Sequence, residues 1–171
     1  MDKRERTIWK MNLLDNGESN YEFCKKRNIV GFGWGLLEHT TTDYEEFKEL
    51  TKIEGKYYQD GKYAYALQCA MNAFDMMKSG DIILLHDKDM SFHVCIVSDE
   101  HVNINQGALY FEVNVTCNRK VEFLTKLLSE EELRNVGVEP SSCIARHTIE
   151  KMSSPDKEQL ENYINNHILH G

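Results

Sequence analysis

Residues 78–98 are KSGDIILLHDKDMSFHVCIVS, and this stretch decides the fold class. Its two apolar and β-branched runs, Asp81–His86 and Ser91–Ser98, predict two buried strands. The polar residues Asp87–Asp89 between them predict the hairpin that joins the strands. Ser79-Gly80 marks the end of a preceding helix. The stretch therefore predicts a β-hairpin entered directly from a helix.

The sequence before this stretch predicts two strands and three helices. The strands are Thr7–Leu13 and Ile29–Phe32, and the helices run from Ser19 to Arg27, from Thr42 to Gly55 and from Ala66 to Met77. Capping boxes, Ser19 with Glu22 and Thr42 with Glu45, open the first two helices. The third helix is predicted by apolar residues that recur at steps of three and four.

The sequence after this stretch continues with strands and ends in helices. The predicted strands are Ala108–Val115 and Lys120–Leu124. Three helical segments are predicted: a short helix that begins at the capping box of Ser129 with Glu132, the segment Arg146–Met152, and a last helix that begins at Ser154-Pro155. Leu160, Ile164 and Ile168 form the buried edge of the last helix. This order predicts an α+β fold with a barrel-like sheet flanked by helices. We expect one domain over residues 1–171, with a core at about 7–152 and a C-terminal helix at 155–169.

Length and composition exclude several classes of protein. The chain has 171 residues and a formal net charge of −8, which fits one domain and argues against coating nucleic acid by bulk charge. No apolar run approaches the roughly 20 residues that a membrane helix needs, so no membrane partner is expected. The five cysteines form no CxxC pair, which argues against a zinc site and favours a reduced, cytoplasmic protein.

The stretch with the most chemical content is Asn28–Leu36, NIVGFGWGL. Alternating glycines weaken a strand, and they are tolerated where the backbone turns or where a ligand approaches closely. Here they flank the rings of Phe32 and Trp34. Aromatic faces beside open backbone can stack a planar group and hydrogen-bond its edge, as proteins hold a flipped or single-stranded base. The alternative is that both rings lie in the core and the glycines form a bulge.

The order of these segments resembles the EVE-type members of the PUA-like superfamily, which are relatives of YTH domains. The resemblance runs over about Thr7–Met152 and rests on three points: the GFGWG turn, the Gly80-Asp81 strand entry after an amphipathic helix, and the segment Arg119–Leu124. It implies a small mixed β-barrel flanked by helices, and a non-enzymatic module that recognises nucleic acid carrying a modified base. Restriction systems of the McrB or Mrr kind use similar modules for defence, so an effector protein or a fused effector domain is an expected partner. No cofactor is expected.

The resemblance also assigns roles to residues of this sequence. The base-binding pocket would contain Phe32, Gly33, Trp34, Tyr57, Ser91, Phe92, His93 and Asn118. The phosphate contacts would come from Lys25, Lys26, Arg27, Arg119 and Lys120. A handful of such contacts predicts weak, salt-sensitive binding in which the pocket gives selectivity. Cations at a helix C-terminus are equally explained by the helix dipole.

Two other functions fit parts of the sequence. The GD strand followed by a strand with His93 and Cys95 also resembles NlpC/P60-type cysteine peptidases, in which a thiol needs a base within reach. Cys24 and Cys69 are further thiol candidates, but both lie inside predicted helices. A sensor of a small nucleotide is the third possibility, and the acidic surface favours it. The seven histidines form no metal-binding motif, so no metal is expected.

Overall fold

The computed structural model describes residues 5–15, 17–33, 41–55 and 62–169, within which it contains eight strands and six helices. The strands are β1 Ile8–Asn12, β2 Leu14–Asp15, β3 Glu18–Ser19, β4 Ile29–Phe32, β5 Ile82–His86, β6 Phe92–Ile104, β7 Cys117–Leu128 and β8 Ile149–Lys151. The helices are α1 Tyr21–Arg27, α2 Tyr44–Gly55, α3 Lys62–Met76, α4 Ala108–Glu112, α5 Glu130–Asn135 and α6 Asp156–Ile164. The α+β class predicted from the sequence is confirmed.

Six of these strands form one mixed sheet in the order β4-β7-β6-β5-β1-β8. The pair of β1 and β5 is parallel, and every other neighbouring pair in the sheet is antiparallel. The sheet is open, with β4 and β8 at its edges, and β2 and β3 form a separate hairpin. Register shifts between Val97 and Val102 interrupt the pairing of β6 with β7, and such bulges bend a long strand pair.

Alternation along the central strands divides the core into two clusters, one on each face of the sheet. Trp9 and Met11 of β1 point to the face covered by α1, α2 and α3. Ile8 of the same strand points to the opposite face, which α5 and α6 cover through Leu133 and Leu160. The described helices therefore pack on both sides of one sheet.

The stretch at residues 78–98 forms the predicted structure, and Asp81 holds its first strand in place. The Asp81 side chain is buried and accepts hydrogen bonds from the indole N–H of Trp9 at 3.1 Å and from the backbone N–H of Lys78 at 3.0 Å. Gly80 precedes it with φ of 89°, a conformation that glycine adopts without strain. One carboxylate therefore ties the end of the α3 segment to β1 where β1 and β5 run side by side.

Two elements differ from the sequence prediction. Ala108–Val115 was predicted as a strand, but the chain forms helix α4 there and closes a turn in which the N–H of Val115 donates to the carbonyl of Tyr110. The period-two apolar pattern misled because Leu109 is exposed rather than buried. Arg146–Met152 was predicted as helical, but Ile149–Lys151 pairs with β1 as the edge strand β8. Tertiary pairing overrides local helix propensity at this edge.

The predicted helix starts are only partly correct. The capping box of Ser129 with Glu132 is confirmed at the start of α5. At the start of α2, the backbone N–H of Glu46 donates to the carboxylate of Asp43, so Asp43 caps this turn rather than Thr42. Helix α1 begins at Tyr21, two residues after the predicted cap Ser19. Among the described helices, none is long and apolar enough to span a membrane.

Candidate functional site

A cavity of about 370 Å³ lies where the ends of β1 and β4 come together with the segment before β8. We call it the asparagine cavity, because three of its lining residues are Asn12, Asn20 and Asn114. The other lining residues are Leu14, Gly31, Phe32, Gly33, Ala66 and the four residues Ala145–Thr148. Its volume is in the range of pockets that hold small ligands.

The end of β4 brings Phe32 and Gly33, two of the residues predicted for a base pocket, to the wall of the asparagine cavity. The Phe32 side chain is only 3% exposed, and its ring lies 4.7 Å from the ring of Phe74 at a tilt of 53°. Phe32 is therefore a core residue that also lines the cavity. Trp34 and Tyr57, the two other aromatic residues predicted for the pocket, lie outside the described residues.

Close packing of β4 against β7 explains the two described glycines of this segment. A Cβ atom at Gly31 would lie 2.6 Å from the carbonyl oxygen of Cys117, which no side chain tolerates. A Cβ atom at Gly33 would lie 3.1 Å from the Cβ atom of Thr116. The glycines thus allow the strand pair to form, whether or not a ligand approaches them.

The three asparagines come from three different places in the chain. The side-chain oxygen of Asn12 accepts a hydrogen bond from the N–H of Leu14 at 3.0 Å, which forms the turn after β1. The side-chain nitrogen of Asn20 donates to the carbonyl of Val113 at 2.8 Å, which joins the start of α1 to the turn after α4. Asn114 lies in that turn with φ of 55°. A carboxamide offers both donors and an acceptor, so such groups can hydrogen-bond the edge of a planar heterocycle.

The segment Ala145–Thr148 supplies the cationic side of the asparagine cavity. The Arg146 guanidinium binds one carboxylate oxygen of Glu150 at 2.9 Å, and the Arg146 backbone N–H binds the other at 3.0 Å. Burial alone would raise the pKa of Glu150, but the bonds from Arg146 and the charges of Lys10 and Arg146 outweigh it and lower this pKa to about 2. His147 is exposed beside Arg146. This ion pair fixes the segment, while most of the Arg146 side chain remains accessible.

The predicted phosphate-binding residues of α1 lie at the other end of β4. Lys25 and Lys26 are exposed, and the Arg27 guanidinium lies 3.6 Å from the centre of the Phe23 ring. Lys120 is exposed opposite Ile29, at the start of β4. Since β4 rises about 3.3 Å per residue, this basic group is roughly 10 Å along the strand from Phe32. The basic group therefore lies outside the asparagine cavity.

Arg119 is not placed for phosphate contact, which corrects its predicted role. The residue is 1% exposed on β7, and its guanidinium donates to the carbonyl of Phe74 at 2.7 Å and to the carbonyl of Asp99. Its Nε has no hydrogen-bond partner among the described residues, and burial lowers the pKa of the side chain. Arg119 binds the last turn of α3, where carbonyl groups lack partners within the helix.

The predicted pocket residues of β6 and β7 are also away from the asparagine cavity. The Asn118 amide is buried and donates to Asn105 at 2.9 Å and to the carbonyl of Val115 at 3.0 Å. Phe92 is buried in the core under α5 and α6, and the Ser91 hydroxyl donates to the carbonyl of Lys88 at 2.6 Å. These three residues support the hairpin and the strand pair. This corrects the prediction that they contact a base.

His93 lies on the sheet face under α1, again outside the cavity. Its ring stacks on Tyr21 with centres 3.7 Å apart, and its Nε2 is 2.9 Å from a carboxylate oxygen of Asp87. Burial alone would raise the pKa of Asp87, but hydrogen bonds from Ser19, His93 and the Lys88 N–H lower it overall. The Asp87–His93 pair and its stack on Tyr21 hold α1 against the hairpin.

Four of the five cysteines do not have the properties of catalytic thiols. Burial raises the pKa of Cys24 and of Cys143 to about 12, and it raises those of Cys95 and Cys117 well above the usual value. A nucleophile needs the thiolate, so these four thiols are unreactive at neutral pH. Cys69 is the half-buried one of the five, and it lies in α3. Nothing in this arrangement supports the cysteine hydrolase.

Sequence reasoning missed most residues of the asparagine cavity. It found Phe32 and Gly33 because they lie in one glycine-rich segment, whereas Asn12, Asn20 and Asn114 lie in three separate turns. No local pattern connects these turns, since only the folded sheet brings them together. In the part of the chain that the structure describes, no three histidine, cysteine or acidic side chains form a group that could hold a metal ion.

Taken together, the structure describes an α+β fold with a small polar cavity where the ends of β1 and β4 meet the segment before β8. The chain belongs to the family described as "Domain of unknown function (DUF8426)", whose model matches residues 9–142. No curated protein matches the chain. The family match ends just before Ala145–Thr148, so the cationic side of the asparagine cavity lies outside the matched residues.

Proposed function

We propose that the chain is an EVE-type module of the PUA-like superfamily that holds a single base, a modified one, in the asparagine cavity. The observation that carries this proposal is the meeting of Phe32 and Gly33, from the predicted pocket segment, with three carboxamides in a cavity of about 370 Å³. Several carboxamides suit the edge of a flat heterocycle, because they offer both donors and acceptors, while the buried Phe32 ring adds only apolar surface to the wall. The proposal includes the PUA-like classification that the resemblance implies, with the open six-stranded sheet in place of a closed barrel.

Nucleic acid would reach the cavity by presenting one unpaired or flipped nucleotide. Lys25, Lys26 and Lys120 are exposed near the start of β4, where they would meet phosphates next to the captured nucleotide. These contacts are few, so the affinity would fall steeply with salt, while the cavity would select the base. In a restriction or defence system, the module would recognise modified nucleic acid, and an effector would act on it.

Binding to short oligonucleotides tests this proposal. We expect single-stranded oligonucleotides with a methylated base to bind more tightly than unmodified ones at low salt, as measured by fluorescence anisotropy. Replacing Asn114 by glycine should weaken binding at least fivefold, because glycine accepts φ of 55° and removes only the carboxamide. The matched control is Asn28→Gly, since Asn28 has φ of 52° and lies outside the cavity.

Two further variants separate recognition of the base from electrostatic attraction of the nucleic-acid backbone. Lys26→Ala should weaken binding to every oligonucleotide by a similar factor, because it removes charge and no base contact. Trp34→Ala should abolish discrimination between modified and unmodified bases, as the resemblance implies for the aromatic wall. If no oligonucleotide binds, or if Asn114→Gly and Asn28→Gly bind equally well, the asparagine cavity is not a base-binding site.

A sensor of a free nucleotide is the second candidate, and the net charge of −8 favours it. A free nucleotide needs no basic track along the surface. The two candidates separate in one comparison, because a sensor would bind the mononucleotide as tightly as the oligonucleotide. A base-recognition module would bind the oligonucleotide more tightly, and this difference would become smaller in Lys26→Ala.

A further inference from the structure

A second cavity of about 330 Å³ lies next to the asparagine cavity, and nothing above assigns it a role. We call it the lysine cavity, because Lys10 of β1 lines it. Its other polar lining residues are Ser141, Ser142, Arg146, Ser153, Ser154 and Asp156. Arg146 lines both cavities, so the two spaces meet at its side chain.

Lys10 is an unusual lysine, because it is only 8% exposed and has one ion-pair partner among the described residues. Its ammonium lies 3.5 Å from Glu150, and within the described part of the chain it makes no hydrogen bond. The same carboxylate is already bound by the guanidinium and the backbone N–H of Arg146. An ammonium has three donors, and one shared carboxylate at this distance leaves most of that capacity to water or a ligand in the cavity.

The geometry along β1 connects the two cavities. Lys10 and Asn12 are two residues apart on one strand, so they point to the same face of the sheet about 7 Å apart. Asn12 lines the asparagine cavity and Lys10 lines the lysine cavity, with Arg146 between them. In a nucleotide, one sugar separates the base from its phosphate, and this spacing matches such a ligand.

We propose that the two cavities form one nucleotide site, in which the lysine cavity binds the phosphate attached to the base held in the asparagine cavity. This inference rests on the proposed function and adds a subsite to it. Lys10 would donate to the phosphate, and Arg146 would turn from Glu150 to bind it, since its side chain is 84% exposed and held by a surface ion pair. The hydroxyls of Ser141 and Ser153 can add neutral hydrogen bonds.

Glu150 and Asp156 carry negative charge at this place and limit the strength of the subsite. Glu150 is ionised throughout the neutral range, because its pKa is lowered to about 2. A phosphate must therefore compete with the Glu150 carboxylate for both cations. The phosphate should then tighten binding about fivefold to tenfold rather than by several orders of magnitude.

Isothermal titration with nucleosides and their monophosphates tests the subsite. The probes are the four common deoxynucleosides, 5-methyldeoxycytidine and N6-methyldeoxyadenosine, each with and without a 5′-phosphate. We expect the monophosphate of the bound nucleoside to bind about fivefold to tenfold more tightly at low salt. Lys10→Met should abolish this difference and leave binding of the nucleoside unchanged. The control Lys48→Met removes another partly buried, ion-paired lysine, in α2, and should change neither affinity.

Two variants keep the test decisive if Lys10→Met does not fold. Arg146→Gln should reduce the advantage of the phosphate, whereas Arg134→Gln, which breaks similar ion pairs with Glu130 and Glu139, should not. Glu150→Gln should increase the advantage of the phosphate, because the competing anion is removed. A purely structural role of Glu150 would not produce that increase.

The outcomes separate the subsite from the proposed function. If nucleosides or oligonucleotides bind but the phosphate gives no advantage, the subsite is wrong and the base-binding function stands. An advantage that persists in Lys10→Met and in Arg146→Gln also overturns the subsite, because the phosphate then binds elsewhere. If no nucleoside, monophosphate or oligonucleotide binds, both proposals fail.

Discussion

Replacing Arg119 by methionine should destabilise the protein without changing a residue that lines the asparagine cavity. The change removes two good hydrogen bonds from a cation to main-chain carbonyls, at Phe74 and Asp99, and a weaker one of 3.4 Å to Met77. Hydrogen bonds to charged groups contribute about 1.5–3 kcal/mol each, and the two good bonds together about 4 kcal/mol. Relief of a buried cation with an unpaired Nε offsets part of this loss. We therefore expect a net decrease in the free energy of unfolding of about 3 kcal/mol.

Urea denaturation followed by circular dichroism measures this decrease. The midpoint should fall while the m-value stays the same, because the surface exposed on unfolding does not change. For a chain of this size, each kcal/mol lowers the melting temperature by about 2–4 °C, so the loss should be about 6–12 °C. Lys120→Met changes the exposed neighbour on β7 and should alter stability by less than about 0.5 kcal/mol.

The same pair of variants separates the two roles considered for Arg119. If Arg119→Met is as stable as the wild-type protein but binds oligonucleotides less tightly, Arg119 contacts the ligand and the reasoning from its buried hydrogen bonds is wrong. Binding measured well below the melting temperature should instead be nearly unchanged in Arg119→Met. Lys120→Met should weaken binding and keep its stability, because Lys120 lies in the exposed basic group.

Three further predictions concern packing, pH and thiol reactivity. Gly31→Ala should lower stability by about 2 kcal/mol, because its Cβ atom would lie 2.6 Å from the carbonyl of Cys117; Gly107→Ala, with its nearest contact at 3.5 Å, should be close to neutral in urea denaturation. Glu150 has a lowered pKa, so its contribution to stability is present above pH 4.5 and is lost as the pH falls toward about 2. In Glu150→Gln, the melting temperature should therefore depend less on pH across this range. Iodoacetamide at pH 8 should label Cys69 first in the native protein, as mass spectrometry of peptides will show, because the other four thiols are buried.

Each of these has a contradicting result. Equal stability of Gly31→Ala and Gly107→Ala would mean that β4 and β7 are not in close contact at Gly31. An unchanged acid dependence in Glu150→Gln would mean that the Arg146–Glu150 pair does not form. Rapid labelling of Cys24 or Cys95 in the native protein would support the cysteine-hydrolase alternative, because both labelling and catalysis require an accessible thiolate.

The sequence predicts the fold well where local patterns agree with tertiary contacts. The stretch at residues 78–98 is an example, because its buried strands, polar hairpin and Gly80 each have a local signal that the sheet then uses. The capping box of Ser129 with Glu132 is predicted correctly for the same reason. Strand β8 could not be found this way, since its pairing with β1 joins Ile149 to Met11, which is far away in sequence.

The site is less predictable than the fold, because its residues come from distant segments. Phe32 and Gly33 carry a local signal, and the structure puts them at a cavity. Arg119 carries the same charge as an exposed residue that binds phosphate. However, its burial depends on where α3 ends, and the sequence of β7 alone does not reveal that. Asn12 and Arg146 meet only after β1 and β8 have paired. Residue type therefore indicates possible chemistry, and the sheet decides which residues can take part.

The most direct test of the base-binding cavity is a nuclear magnetic resonance titration that follows the side-chain amide groups of asparagine. The titrant is the nucleoside or oligonucleotide that binds most tightly in the panel. We predict that the amide signals of Asn12, Asn20 and Asn114 shift together and saturate with one affinity, while those of the exposed Asn135 and Asn162 stay fixed. Saturable binding that leaves the three cavity signals unchanged would contradict the account, because the base would then lie elsewhere on the protein.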